Sequence, residues 1–193
     1  MRVQWWRIVL AVIVFFLVVE PVMAMEVAGV KLEETVTVGE GPCSELVLNG
    51  AGVRRKLFTK VYVGALYLEE KQQDVQAILE SGGPKRVVMH ILYDTVKAGQ
   101  LTAGWNEGFN KNISKEERIR LQDRLIRFNS LFRNVVKGDV LYMDYLPDKG
   151  TLVRINDELL GTVPGADFNR MLLKVWLGEK PVDKGLKEAM LGN

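Results

Sequence analysis

Val61-Tyr62-Val63-Gly64-Ala65-Leu66-Tyr67-Leu68 is apolar at both of its alternating sets of positions. Successive side chains of a strand point to opposite faces, so a strand of this composition can show neither face to water and sits centrally in a sheet covered on both sides. The stretch from Arg86 to Tyr93 repeats the pattern, with Val87, Met89 and Ile91 on one face and Val88 and Leu92 on the other. Upstream, weaker β signals run from Val30 to Val38 and from Glu45 to Asn49, and Phe58 opens the central strand, which ends at Leu68. Downstream, strands are expected at Asp139 to Leu146, Thr151 to Ile155 and Leu159 to Val163, with Pro147 through Gly150 as a turn.

The helices have a different period. Asp74 opens a short one, and Asp94 or Thr95 opens another on which Ala98, Leu101, Trp105 and Phe109 recur at helical spacing. Ser114-x-x-Glu117 is a capping box, followed by Leu121, Leu125, Phe128 and Phe132 on one face. Further helices are expected from Ala166 to Leu177, ended by Gly178, and from Lys184 to Met190. Strands grouped apart from helices imply an α+β fold, an antiparallel sheet packed against a layer of helices, rather than a parallel doubly wound one.

Composition removes several functions. With 26 Lys+Arg against 24 Asp+Glu interspersed along 193 residues, the chain offers no polyelectrolyte surface for nucleic acid. A single Cys43 and a single His90 exclude four-ligand zinc sites of the Cys/His type, a CxxC pair, an internal disulfide and any triad that omits His90. Neither a metal nor a cofactor is expected.

Residues 1–24 have a basic start (Arg2, Arg7), an apolar run from Ile8 to Val19, and Val22-Met23-Ala24 with small residues where a signal peptidase needs them. Such a run makes roughly 18 Å of helix against a bilayer core of about 30 Å. The expectation is a signal peptide cleaved after Ala24 and one domain, residues 25–193, in the periplasm or secreted, touching membrane only through that leader. An uncleaved anchor with Trp5 and Trp6 at the interface is the alternative. Cys43 then reads as a buried or inert thiol, or else as half of an intermolecular disulfide.

Leu48 to Lys56 places two glycines and two arginines in a turn that feeds the central strand. A phosphate cradle needs a helix to follow, and a strand follows. Either Arg54 points inward, where its guanidinium fork can hold a carboxylate or phenolate, or both Arg54 and Arg55 are solvated. Tyr62, Tyr67, Tyr93, Tyr142 and Tyr145 all fall on expected strands, where the phenols pack and seek one partner. His90 reads as a hydrogen-bonded core histidine, Trp105 and Trp176 as core, and Ser114 to Arg127 as a solvated helix face.

Three segments together resemble the chalcone isomerase-like superfamily, in its bacterial exported branch. They are Gly50-Ala51-Gly52-Val53-Arg54 followed by Lys60 to Leu68, then Gly161 to Phe168, and Val175-Trp176-Leu177-Gly178 with Leu186 to Gly192. The resemblance spans residues 26–192 and implies an open-faced β-sandwich with an apolar cleft between sheet and helices. It also implies catalytic positions, which carry over in part. In the plant enzymes an arginine holds the substrate phenolate, while a threonine and a tyrosine position a water that stabilises the enolate. Arg54 matches the arginine. The threonine falls on Tyr62, the tyrosine on Asp94, a lysine on Lys97 and an asparagine on Leu101, so two polar partners are missing.

Losing one donor to an enolate typically costs about 10²-fold to 10³-fold in rate. The resemblance therefore implies a non-catalytic protein that binds a small apolar or amphipathic anion, of fatty-acid type, through Arg54, Tyr62 and Lys97. Two alternatives stand beside it: an intramolecular lyase or isomerase acting on a chalcone-like or other enone substrate with the same three residues, and an interaction protein with no ligand. Arg54 is expected to face the cleft and Arg55 solvent. Tyr62 shares Arg54's parity across an even separation, provided no bulge intervenes between Arg55 and Val61.

Overall fold

A computed structural model describes residues 24–39 and 43–193, so all of the expected leader except Ala24 lies outside the described residues. The elements in chain order are β1 (Ala24–Val27), β2 (Val30–Glu33), β3 (Thr35–Val38), β4 (Ser44–Lys56), β5 (Thr59–Leu68), α1 (Val75–Glu80), β6 (Lys85–Ile91), β7 (Thr95–Val96), α2 (Ala98–Asn112), α3 (Lys115–Ser130), β8 (Val135–Val136), β9 (Val140–Leu146), β10 (Gly150–Ile155), β11 (Glu158–Val163), α4 (Ala166–Leu177) and α5 (Lys184–Met190). Seven strands form one antiparallel sheet in the order β11-β10-β9-β6-β5-β4-β3. The α+β expectation holds.

The central position of β5 follows from its two apolar faces. Tyr62, Leu66 and Leu68 join Val87, Met89 and Ile91 of β6 in a core completed by all five helices. Val63, Ala65 and Tyr67 face the other way, with Val88, Leu46 and Leu48, under Leu32 of the β1–β2 hairpin. The helical layer thus occupies one face of the sheet. Its caps form as the sequence implies at α3, where the Glu117 backbone N–H donates to Ser114 Oγ at 3.1 Å and Ser114 N–H to the Glu117 carboxylate at 3.0 Å.

Several expectations need correction. The glycine-arginine segment is a strand, not a turn: β4 runs through it, and the glycines serve close approach. A Cβ on Gly50 would lie 2.1 Å from the Ala189 carbonyl oxygen, and one on Gly52 2.6 Å from the Ala189 Cβ, so α5 can seat on this strip only because it is bare. α2 begins later than expected, with Lys97 at its cap, because Thr95 and Val96 first pair with Val136 and Val135. The Asn134 side chain then accepts the Ala98 N–H at 2.9 Å. Tyr93 lies beyond the end of β6 and is 46% exposed rather than packed on a strand. Cys43 is exposed, its sulfur 3.6 Å from the Gly39 carbonyl at the edge of the sheet, rather than buried.

Two bulges decide which way the arginines point. The β4–β5 register slips at Asn49, whose buried amide donates to the carbonyls of Gln72 (3.0 Å) and Met190 (2.8 Å) and accepts the Gln72 N–H at 2.7 Å. Leu46 and Leu48 before the slip face away from the helices, whereas Gly50 and Gly52 after it, with Arg54 in the same alternation, face toward them. A second slip leaves Val61 as an extra residue, so that Arg54 pairs with Tyr62 while Arg55 pairs with Lys60. The parity expectation had this backward. A two-residue hairpin without a bulge would pair Arg54 with Val61 and turn Tyr62 to the far face; the bulge is what brings Arg54 and Tyr62 onto one face.

Candidate functional site

Where β4, β5 and β6 approach α2, the helix-covered face opens into a cleft of about 480 Å³, within the range of roughly 300 to 1,000 Å³ usual for small-molecule sites. Val61, Met89, Ile91, Leu101, Val175 and Val182 supply apolar wall, and Leu57 and Tyr93 stand at its exposed margin. Val61 reaches the cleft beside its neighbour Tyr62 because it is the bulged residue.

The polar groups on this wall are mostly donors. Arg54 lies over the Tyr62 ring, its guanidinium carbon 5.6 Å from the centroid, and its buried Nε has no hydrogen-bond partner among the described residues. Tyr62 is 3% exposed, and its hydroxyl oxygen accepts the Trp176 indole N–H at 2.9 Å. Burial pushes its pKa up to about 12, outweighing the lowering by the Arg54 charge and the Trp176 N–H, with Asp183 adding to the rise. At neutral pH it is therefore a phenol with a proton to give, not a base. Trp105 also lines the cleft; its indole nitrogen is buried with no partner among the described residues, and its ring packs 5.6 Å from that of Trp176.

The acceptors nearby are already engaged. Glu107 lines the cleft, but hydrogen bonding to Lys111 one helical turn away holds its carboxyl below the usual range. The Gln100 side-chain Oε1 accepts the Lys97 backbone N–H at 2.9 Å. An apolar cavity whose unsatisfied polar atoms are N–H donors beside a guanidinium is complementary to an anion with an apolar body.

Of the residues singled out in the sequence, Arg54 and Tyr62 come together in the cleft. Lys97 is exposed at the start of α2 and is not among the residues lining it, nor is the exposed Asp94, while Leu101 does line it. Arg55 is exposed and outside the cleft, its backbone N–H donating to the Asp183 carboxylate at 3.0 Å. His90 alternates with Met89 and Ile91 and so faces away from the cleft, where burial lowers its pKa. Among the described residues no group of three or more His, Cys, Asp or Glu is placed to hold a metal ion. Trp105 was read as core, because its helical spacing is that of a core residue; only the unpartnered N–H marks it as part of the site.

Against known proteins, the family model described as chalcone isomerase-like matches residues 24–192. No curated protein matches. Among solved structures, a fatty-acid binding protein of Arabidopsis thaliana is similar with a TM-score of 0.65 and 17% sequence identity, covering 84% of this chain and 92% of that one. At that identity the likeness is one of fold.

Proposed function

The chain belongs to the chalcone isomerase-like family, and from that premise we propose that it is an exported, non-catalytic binding protein whose cleft takes a small apolar or amphipathic carboxylate of fatty-acid type. Arg54 is the charge anchor and Tyr62 the hydroxyl donor. One observation carries the reading: a guanidinium with a buried, unpartnered N–H stands in an apolar cleft with no carboxylate bound to it among the described residues. That the Arabidopsis protein of similar fold is a fatty-acid binding protein supports it. Lys97 takes no part while it remains outside the cleft wall. Export rests on the sequence of residues 1–24, and the mature chain begins at Met25; N-terminal sequencing of the exported protein checks this, and recovery of Met1 contradicts it.

Titration of a fluorescent long-chain carboxylate tests the site. A charge-assisted pair contributes about 1.5 to 3 kcal/mol, so Arg54→Ala weakens binding roughly tenfold or more. Arg55→Ala changes it little, since an exposed charge is screened. Thermal melts confirm that both variants fold. Equal affinities, or the larger loss in Arg55→Ala, overturn the assignment.

The lyase alternative makes an opposite prediction. Cyclisation of a chalcone needs donors where Asp94 and Leu101 stand, so the protein leaves the spontaneous rate essentially unchanged. A large, saturable acceleration abolished by Arg54→Ala would replace the binding reading with catalysis.

A further inference from the structure

The tip of the β4–β5 hairpin is chemically out of place. Leu57 and Phe58 are 88% and 99% exposed, the two most exposed large apolar side chains described. Leu57 also holds φ at +55°, a left-handed conformation that branched and bulky side chains rarely take. The β10–β11 hairpin has the same two-residue loop and a matching φ of +54° at Asn156, and there the side chain belongs to the turn: its amide donates to Asp139 and its carbonyl accepts the Val140 N–H, both at 2.9 Å. Neither Leu57 nor Phe58 packs into a core, and Leu57 touches the fold only as the exposed margin of the cleft. Backbone strain of this kind with no structural return points to contact with something beyond the chain.

Charge says what that partner is. Arg55, Lys56 and Lys60 flank the tip within three residues, with no acid between them in sequence. The acids that approach from packed elements are Asp183, engaged with the Arg55 backbone N–H, and Glu107, engaged with Lys111. A solvent-facing aliphatic–aromatic pair collared by cations is the pattern that settles into the interface of an anionic bilayer. The tip also adjoins the cleft: Lys56, Leu57 and Thr59 line it, and the exposed Tyr93 stands on the same margin.

We propose that Leu57 and Phe58 insert into the headgroup–acyl boundary of an anionic lipid surface while Arg55, Lys56 and Lys60 pair with lipid phosphates. Docking in this way holds the mouth of the cleft against the bilayer, the phase in which an amphipathic carboxylate resides. The delivery role rests on the function proposed above; the docking does not.

The test places a reporter at the tip of the signal-cleaved protein, residues 25–193. Phe58→Trp is mixed with vesicles of phosphatidylcholine and anionic phosphatidylglycerol carrying brominated acyl chains, with the parent protein as the baseline for its own tryptophans. The expected result is emission from position 58 that shifts to the blue and is quenched by the bromines. Both effects weaken in purely zwitterionic vesicles, and in Arg55→Gln/Lys60→Gln by about fivefold per charge removed. Phe58→Asn lowers partition of the signal-cleaved protein onto the same vesicles about tenfold. Phe58→Asn keeps its carboxylate affinity in vesicle-free solution, because Phe58 is not part of the cleft wall. A parent protein that takes up no carboxylate in vesicle-free solution counts against the binding function and not against docking, whereas affinity lost only in Phe58→Asn overturns the separation of the tip from the cleft. A Trp at position 58 that stays water-exposed on anionic vesicles overturns the proposal and returns the tip to a protein partner.

Discussion

Two arginines lie over tyrosine rings on opposite faces of one sheet. Arg86 sits 5.1 Å from the Tyr142 centroid on the face away from the helices, and Arg54 sits 5.6 Å from that of Tyr62 on the helix-covered face. The first stack is complete within the fold, because Asp144, 1% exposed, takes the Arg86 guanidinium in a two-point ion pair. The second is open, its Nε buried and unpartnered beside a cavity. The same residue pair is a closed structural unit where the fold supplies the anion, and where the fold supplies none it leaves a guanidinium open beside a cavity.

That contrast is broken most severely by removing the internal anion. Asp144→Ala leaves Arg86 charged and uncompensated, costing about 3 to 5 kcal/mol and lowering the thermal midpoint by roughly 10 °C; calorimetry reads it. Arg54→Ala, by contrast, removes no ion pair, so its midpoint stays close to wild type while its carboxylate affinity falls. A melt in which the two variants lose comparable stability would erase the distinction between the two faces.

Tyr62→Phe has the next largest effect. It leaves the buried Trp176 N–H without an acceptor, for a loss of about 1 to 3 kcal/mol in stability, and it weakens ligand binding by about fivefold through the missing donor. Tyr67→Phe provides the control on the other face, since its hydroxyl donates to the Glu33 carbonyl at 3.1 Å, away from the cleft. Ligand affinity unchanged in Tyr62→Phe removes the phenol from the site.

The smallest effect is in pH. The folded pKa of Tyr62 is raised to about 12, above the ordinary value near 10. Its neutral form is therefore favoured by folding, and the contribution is fully present below about pH 10 and lost as pH rises through 12. The Tyr62 contribution to binding and to stability accordingly holds level from neutrality to about pH 10, then falls as a phenolate replaces the donor. Loss of carboxylate affinity between pH 7 and 9 would mean that a different group titrates in the cleft.

The sequence was legible where one local pattern sufficed. The doubly apolar β5, the Ser114–Glu117 cap and the helical faces of α2 and α3 each follow from spacing alone, and together they give the layer architecture. The bulges were not legible. Asn49 is held by Met190, 141 residues away, so no window around it reveals that the alternation inverts there. The Val61 bulge is likewise a property of the paired strands, yet it sets which tyrosine Arg54 faces. Gly50 and Gly52 read as a turn because a helix lying 2.1 to 2.6 Å from their absent Cβ atoms leaves no local trace. Of the three candidates that the resemblance points to, Arg54 and Tyr62 come together in the cleft, whereas Lys97 lies outside its wall.

Native mass spectrometry of the protein purified from its own compartment, beside Arg54→Ala prepared in the same way, tests the open-anion claim most directly. The expected result is a small carboxylic acid retained on the wild-type chain and missing from the variant, with both folded. A wild-type chain that carries no such acid, or an acid kept equally by Arg54→Ala, contradicts it.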